Sequence, residues 1–508
     1  MEQAIDEAGA RRTLHRASIV AAGTAYRQCI SFVSGLIVAR VIGAAEYGIF
    51  NLARNLVETT AIFTRLGLDL GLQRYFGETR SQDAAARVVV LRRVRLLAAL
   101  AALLPLIAVG LGLGTVLEAH VYRHANFAAV LLCLALALPF LTDMWVLGGA
   151  YRGILKLSPP VLAESILLPT IRLAVIILLF LAGWRLWAVA VGTTLGSVAA
   201  AAFLARRARS DFPRGAPAGP QPWSEAYRVV GYSSVLAGCM IVTALTQNMD
   251  IFVLGHFATA QDLGQYSLVK TLLVITGVFG AACGQGTEAL VADRHARGDF
   301  DGMVRVMSLN ARLIALFTVP VFAVFLFWGA ELALLFGPSF AVSQAVVAWL
   351  AVAPLVSMIF WPTACALSMT GRHFLELRIL AGGLVIAALL CWFAVPAYGQ
   401  LGAAVATCVS VVIVNLARIA FVRRAIGRFP FGADLFVIVA AGVALAGCSQ
   451  LIVAQLPLPV FWSSALGICC FMLAYATAAW SQLLGESERS DIRATAAGLA
   501  PRLFGKGN

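Results

Sequence analysis

The sequence predicts an all-α integral membrane protein with about fourteen transmembrane helices, and three observations lead to this prediction. First, 61% of the 508 residues are hydrophobic and only 12% are charged, whereas soluble domains are about half apolar and a quarter charged. Second, the apolar residues form long runs, and the mean hydropathy is +0.88. Third, the basic residues behind the net charge of +13 cluster in alternate connections between those runs.

Each run is long enough to cross the hydrocarbon core of a bilayer, which requires about 20 helical residues. The runs are too long and too uniform for barrel strands, in which apolar and polar residues alternate. In chain order the predicted spans are Ala17–Val41, Gly48–Arg74, Leu96–Leu117, Phe127–Ala150, Leu157–Ala182, Leu186–Ala205, Val229–Phe257, Leu263–Val291, Met307–Trp328, Val342–Met369, Leu375–Pro396, Leu401–Phe421, Leu435–Val453 and Val460–Trp480.

The basic residues predict the orientation of these spans. With the N-terminus in the cytoplasm, the cytoplasmic segments hold 29 Arg and Lys residues, and the outer loops hold three. Loops on the cytoplasmic side of membrane proteins are enriched in these residues. We therefore expect a multi-pass protein of the bacterial inner membrane with both termini in the cytoplasm. The orientation accounts for the positive charge, so no nucleic-acid partner is expected.

An internal repeat relates the two halves of the chain. The segment ARVIGAAEYGIFNLARNL from Ala39 resembles GHFATAQDLGQYSLVKTL from Gly255 at an offset of 216 residues. Because this offset spans six helices, an even number, both units enter the membrane in the same direction, as in transporters built from parallel repeats. Pairs matched at this offset, or at one residue less, include Gly48 with Gly264, Arg54 with Lys270, Pro105 with Pro320 and Pro139 with Pro354.

The repeat and the loop composition predict how the chain is divided. We expect two six-helix lobes, a proline-containing cytoplasmic linker between them, and two helices outside the duplication. The predicted segments are a cytoplasmic N-terminus at 1–16, a first lobe at 17–205, the linker at 206–228, a second lobe at 229–421, helices thirteen and fourteen at 435–480, and a cytoplasmic tail at 485–508.

Charged residues within the spans indicate a polar cavity, because a charge at the centre of a membrane helix costs about 2.5–3.5 kcal/mol on insertion scales. Arg27 lies about ten residues into the first helix, roughly 15 Å from its predicted cytoplasmic end. The second helix carries a stripe of charges on one face, with i,i+4 partners that can neutralise each other. The stripe consists of Arg54, Glu58, Arg65 and Asp69.

These positions predict an anion-binding site. Arg27, Arg54 and Lys270 would repel one another in a low-dielectric cavity unless they shared an anion, and guanidinium groups bind phosphate oxygens bidentately. Glu58, Asp250 and Glu288 are candidates for coupling to H⁺ or Na⁺; the alternative is that they simply neutralise the three cations. Further predicted cavity residues are Arg65, Asp69, Gln247 and Asn248. The sequence has no catalytic or metal-binding motif, and no resident cofactor is predicted.

Several segments resemble the Wzx-like polysaccharide and oligosaccharide flippases of the multidrug/oligosaccharidyl-lipid/polysaccharide (MOP) exporter superfamily. These are ARVIGAAEYGIFNLARNL, RLGLDLGLQRYFGE, NMDIFVLGHFATAQDLGQYSLVKTL and VPAYGQLGAAVAT, and the resemblance covers helices one to twelve. It implies two bundles around a V-shaped central cavity that opens alternately to each side. In the related lipid II flippases, basic residues on helices one, two and eight line this cavity, and Arg27, Arg54 and Lys270 occupy those helices here.

The resemblance also implies a function. The substrate would be an undecaprenyl-diphosphate-linked oligosaccharide, moved from the cytoplasmic to the periplasmic leaflet for lipopolysaccharide or exopolysaccharide biosynthesis. Polysaccharide polymerases and glycosyltransferases would be partners, together with membrane lipid. The alternative is a cation-coupled multidrug exporter of the same superfamily, although cationic drugs favour an acidic cavity. An enzyme of polysaccharide assembly would need a large outer loop with catalytic groups, and no such loop is predicted.

Overall fold

Long apolar runs form helices in lipid because a helix satisfies its own backbone hydrogen bonds. The computed structural model describes residues 2–79, 84–212, 223–277, 287–427, 429–457 and 459–483. Within these ranges the chain is almost entirely helical and contains no β-strand. The prediction of an all-α membrane protein is confirmed.

We number the helices in chain order. They are α1 (Glu2–Arg65), α2 (Leu68–Glu78), α3 (Ala84–Tyr122), α4 (Phe127–Gly153), α5 (Ser158–Leu181), α6 (Leu186–Asp211), α7 (Trp223–Phe257), α8 (Ala260–Leu273), α9 (Thr287–Ala296), α10 (Phe300–Leu334), α11 (Gln344–Ile359), α12 (Trp361–Met369), α13 (His373–Ile426), α14 (Asp434–Ala454) and α15 (Val460–Ala478).

The described residues contain ten helices long and apolar enough to cross a membrane, or up to 11 if the bent pair α11 and α12 is one span. Two of the ten, Ala22–Glu78 and Phe374–Ile426, exceed 50 residues, and each holds two predicted spans. With these two counted as two spans each and the bent pair α11 and α12 counted as one span, the described residues hold thirteen of the fourteen predicted spans. The remaining predicted span, Leu263–Val291, runs through 278–286, which lie outside the described residues.

The two long helices reverse direction at glycines with positive φ. Gly43 has φ +79° within α1, and Gly399 has φ +53° within α13. A β-carbon on Gly402 would overlap the carbonyl oxygen of Ala394, so the two arms of α13 lie against each other beyond the bend. Both arms of α1 line one cavity, described below. Each long helix is therefore a hairpin of two spans.

The predicted parallel repeat is visible in the backbone. At the offset of 216, the bend at Gly43 corresponds to Thr259, where α7 gives way to α8. The Thr259 hydroxyl accepts a hydrogen bond from the Asp262 N–H at 3.2 Å and caps α8. Gly183, between α5 and α6, has φ +85° and corresponds to the bend at Gly399. Both lobes therefore turn at equivalent positions.

The helices extend further into the predicted linker than expected. The linker was expected at 206–228, but α6 continues to Asp211 and α7 begins at Trp223. Within the predicted linker, residues 206–211 and 223–228 are therefore helical. The predicted N-terminal segment 1–16 is likewise part of α1 from Glu2. Positions 213–222 and the tail 485–508 lie outside the described residues.

The two lobes touch at both ends of the bundle. We call one end the Gly43 end and the other, which carries most loop arginines, the arginine-rich end. At the Gly43 end, β-carbons on Gly48 or Gly264 would overlap backbone atoms of the opposite lobe. At the arginine-rich end, a β-carbon on Gly71 would overlap the Ser233 hydroxyl of α7. The lobes therefore contact each other on both sides of the space between them.

The two helices outside the repeat pack on the second lobe. A β-carbon on Gly442 of α14 would overlap the Val319 side chain of α10. The Tyr475 hydroxyl of α15 donates to the Leu316 carbonyl of α10 at 3.0 Å. These helices enlarge the second lobe and do not line the cavity.

Candidate functional site

A cavity of about 890 Å³ is walled mainly by the first lobe, through both arms of α1 and through α4, α5 and α6, and it is bordered on the side of the second lobe by the end of α8. Basic residues outnumber acidic ones in its lining, which contains four arginines and two glutamates. The charged lining residues are Arg27, Arg54, Glu58, Arg65, Glu164 and Arg172. The cavity therefore carries two more positive than negative charges and is suited to an anion.

Arg54 is only weakly neutralised. Its Nε atom lies 3.6 Å from a Glu58 carboxylate oxygen, beyond the usual 2.7–2.9 Å of a charge-assisted hydrogen bond. The same Nε atom is buried and has no hydrogen-bond partner. The guanidinium carbon is 5.8 Å from the centre of the Phe50 ring. The predicted i,i+4 pair with Glu58 forms, but it leaves Arg54 able to accept an anion.

Arg27 lies in the same cavity on the first arm of α1, where it is exposed. No carboxylate of the described residues approaches it within 4 Å, although it interacts electrostatically with Glu164. Arg27 and Arg54 are thus brought to one cavity, as their positions in the sequence predict.

Lys270 is placed differently from the other two predicted cations. Its Nζ atom lies 2.8 and 3.0 Å from the two carboxylate oxygens of Asp250 and 2.7 Å from the Gln247 carbonyl oxygen. It is not among the residues that line the cavity. The ammonium group is consequently neutralised within the second lobe, which is the alternative that the sequence left open for this residue.

Asp250 is saturated with hydrogen bonds. Besides Lys270, its carboxylate accepts from the Tyr266 hydroxyl at 2.7 Å, from the Thr407 hydroxyl at 3.2 Å and from the Ile251 N–H at 2.8 Å. Its exposure is 1%. In this conformation the carboxylate has neither the space nor a free lone pair for a further cation.

The other predicted residues lie in three settings. Glu58 lines the cavity, and its side chain is 53% exposed. Glu288 is exposed on α9 and is not a lining residue. Asn248 donates to the Thr59 hydroxyl of the first lobe at 3.4 Å, so it lies at the contact between the lobes.

A charge network lies on the arginine-rich side of the cavity. Arg65 pairs with Asp69 at 3.4 Å and stacks on Trp145, with 4.7 Å from its guanidinium carbon to the ring centre. Arg152 of α4 lies 3.7 Å from Asp69 and 3.9 Å from Glu164. Arg65 and Asp69 are therefore balanced within this network, and the surplus positive charge belongs to the other arginines.

Two lining residues, Glu164 and Arg172, are absent from the predicted site. Both lie on α5, and Glu164 sits in a π-helical turn, Leu162–Leu167, of the kind often found at functional sites. The sequence does contain the indication that would have found them, a pair of charges inside an otherwise apolar span. Both residues lie outside the segment that shows the repeat.

Comparison with known proteins assigns the chain to a protein family. Residues 14–287, more than half of the chain, match the family described as polysaccharide biosynthesis protein, so the chain belongs to that family. Residues 236–393 match the MatE family. No curated protein sequence matches the chain.

Solved structures show the same fold at low sequence identity. One is described as "Lipid II flippase MurJ, inward closed conformation": TM-score 0.73, 12% identity, 90% of this chain and 97% of that chain covered. A multidrug resistance MATE family transporter of the MOP superfamily, in an inward-facing conformation, gives a TM-score of 0.63 at 15% identity over 79% of this chain and 94% of that one.

A MOP superfamily transporter from Pyrococcus furiosus gives a TM-score of 0.56 at 14% identity, covering 82% and 95% of the two chains. The chain is thus a multi-pass membrane protein with the fold of the MOP exporters, and the predicted resemblance to that superfamily is confirmed. These structures are of a flippase and of transporters, and none of the three is of an enzyme.

Proposed function

We propose that this protein flips an undecaprenyl-diphosphate-linked oligosaccharide from the cytoplasmic to the periplasmic leaflet of the bacterial inner membrane. The observation that carries the proposal is the surplus of arginine over glutamate in the cavity. Unpaired guanidinium groups in a low-dielectric space favour a ligand with concentrated negative charge, and a diphosphate provides it. Membership of a polysaccharide biosynthesis family agrees with this substrate.

The cavity is placed as alternating access requires. It is walled by the first lobe and bordered by the end of α8 of the second lobe, and the two lobes are related by a parallel repeat and touch at both ends. We propose that the diphosphate and sugars enter the cavity from the arginine-rich end, which faces the cytoplasm, while the polyprenyl tail stays in lipid. Rocking of the lobes would then open the Gly43 end and release the head group into the periplasmic leaflet.

Arg27 and Arg54 are the diphosphate-binding residues of this proposal, whereas Lys270 is paired with Asp250 outside the cavity. Among the carboxylates considered for H⁺ or Na⁺ coupling, Glu58 is the one within the cavity, and its proximity to Arg54 would link protonation to release of the anion. Asp250 and Glu288 would enter such a role only in another conformation. Glycosyltransferases of the same pathway would act before the flipping step, and polymerases would act after it.

The experiment is a gene deletion rescued by variants. Deletion should cause lipid-linked oligosaccharide to accumulate in the cytoplasmic leaflet and surface polysaccharide to disappear. The wild-type gene should restore the glycan, and Arg27→Gln or Arg54→Gln should not. The matched control is Arg92→Gln, which removes an exposed arginine of α3 outside the cavity and should rescue fully.

The rival function is cation-coupled export of drugs, which the MatE match over residues 236–393 brings into consideration. The deleted strain distinguishes the two. Normal surface glycan together with increased sensitivity to cationic dyes would contradict glycolipid flipping and support drug export.

A further inference from the structure

Arg172 is a cation in the cavity wall with no counter-charge of its own. It lies on α5, and its Nε atom is buried without a hydrogen-bond partner. In the described part of the chain no carboxylate lies within 4 Å of its guanidinium nitrogens. The charged groups with which it interacts electrostatically are Arg54 and Glu58. Arg54 and Arg172 therefore share a single glutamate.

The position of the Arg172 side chain depends on how closely α6 packs against α5. Gly192 and Gly196 form a small-xxx-small face, which allows two membrane helices to approach closely. A β-carbon on Gly196 would lie 3.0 Å from the Arg172 β-carbon, and one on Gly192 would lie 3.2 Å from the Arg172 carbonyl oxygen. The backbone of α5 is thus held against α6 at Arg172, and the side chain reaches the cavity.

An arginine in this position has few ways to lower its free energy. Its guanidinium group stays protonated, because its pKa is too high for neutralisation by burial. Replacing water with a cavity wall is costly for a charge unless a partner provides hydrogen bonds. Within the protein, Arg172 interacts electrostatically with Glu58, which Arg54 also uses, and with Tyr47. The remaining requirement is for an external oxyanion.

We propose that Arg172 and Arg54 together form an oxyanion-binding site that holds a phosphate or carboxylate group of the transported substrate. The proposal rests on the proposed function and deepens it by adding a substrate-binding residue on α5. The oxyanion is either the diphosphate of the lipid carrier or the carboxylate of an acidic sugar. These sources share the chemistry that the two guanidinium groups recognise, and the test below separates them.

The test uses purified full-length protein in detergent, with the thermal unfolding midpoint as the readout and inorganic pyrophosphate and glucuronate as probes. In the absence of a probe, Arg172→Met should raise the midpoint, since it removes a partly buried cation that has no carboxylate partner within 4 Å. A residue with only a structural role would give a lower midpoint. The wild type should be stabilised by at least one of the probes.

The variants then assign the oxyanion. Loss of the pyrophosphate shift in Arg172→Met, with Arg92→Gln unchanged, supports a diphosphate at this site. Loss of the glucuronate shift alone supports an acidic sugar. Arg172→Lys should bind the effective probe about tenfold more weakly than the wild type, because lysine cannot bind bidentately. Shifts equal to those of the wild type in Arg172→Met overturn the proposal.

The glycolipid assay distinguishes this failure from failure of the proposed function. If Arg172→Met restores surface polysaccharide while Arg27→Gln does not, flipping stands and the role of Arg172 is refuted. Arg172→Met should instead lose rescue while accumulating normally in the membrane.

Discussion

Gly48 and Gly264 occupy equivalent positions in the two repeats and touch each other across the boundary between the lobes. A β-carbon on Gly48 would lie 2.6 Å from the Gly264 backbone nitrogen, and one on Gly264 would overlap the Ala44 carbonyl oxygen. The pseudo-two-fold axis therefore passes close to this pair. A side chain at either position would prevent the backbones from meeting.

This contact predicts that Gly264→Leu opens the Gly43 end. The opening can be followed in protein whose only cysteine is Cys29, an exposed residue of the cavity lining. A membrane-impermeant maleimide applied from the Gly43 side should label Cys29 at least tenfold faster in Gly264→Leu. Leucine at Gly110, where a β-carbon would meet no atom within 4 Å, is the control and should leave labelling unchanged. Unchanged labelling in Gly264→Leu would show that this end is closed by other contacts.

Two histidines also connect the lobes at the Gly43 end, and we expect them to contribute less to its closure than the glycine contact does. The His124 ring donates from Nε2 to the Gly255 carbonyl oxygen of the second lobe at 3.0 Å. The His256 ring in turn bonds through Nδ1 to the Val121 carbonyl oxygen of the first lobe. Because one hydrogen bond contributes about 1 kcal/mol net, His256→Phe should speed Cys29 labelling about fivefold. The phenyl ring keeps the stacking on Trp392, so equal rates would exclude the hydrogen bond as a latch.

The closure should also depend on pH. His124 lies in the loop between α3 and α4, and burial lowers its pKa, although the bond to Gly255 partly offsets this. Protonation therefore disfavours the closed state. Stability of the closure is full above the ordinary histidine pKa of about 6.5 and falls as pH drops below it towards the lowered value. Cys29 labelling from the Gly43 side, corrected for thiolate content, should rise between pH 7 and 5. His124→Gln should abolish that rise.

Lys270 and Asp250 should behave as a buried structural pair. Lys270→Met or Asp250→Asn leaves an uncompensated charge and should lower the free energy of unfolding by about 3–5 kcal/mol. The double variant should recover much of this loss, because neither charge remains. Thermal or denaturant unfolding in detergent gives the coupling energy. Additive losses would indicate that the two side chains act independently.

Much of the fold could be predicted from the sequence, because the bilayer imposes long apolar runs and basic cytoplasmic loops. The gaps between predicted spans at 42–47 and 397–400 contain the bends at Gly43 and Gly399, but the sequence does not show that the backbone turns at a single glycine. The repeat aligned Gly48 with Gly264 in sequence. It did not show that the two would be in contact.

The site was harder to predict, because partners depend on packing across helices. Arg27 and Arg54 reach one cavity, as the helical face and depth of their positions indicate. Lys270 is basic like its repeat mate Arg54, but Asp250 on the neighbouring helix pairs with it. Arg172 is visible in the sequence as a charge inside an apolar span, but it is not in the predicted site, because its role depends on the absence of a nearby carboxylate, which spacing along one helix cannot reveal.

The most direct test of the central claim is flipping by purified protein in liposomes. A fluorescent oligosaccharide linked to polyprenyl diphosphate is placed in both leaflets, and an impermeant quencher reports how quickly the protected pool becomes accessible. We expect rapid exchange with the wild type and with Arg92→Gln, and the protein-free rate with Arg27→Gln and Arg54→Gln. Equal rates in liposomes with and without the wild-type protein would contradict the account.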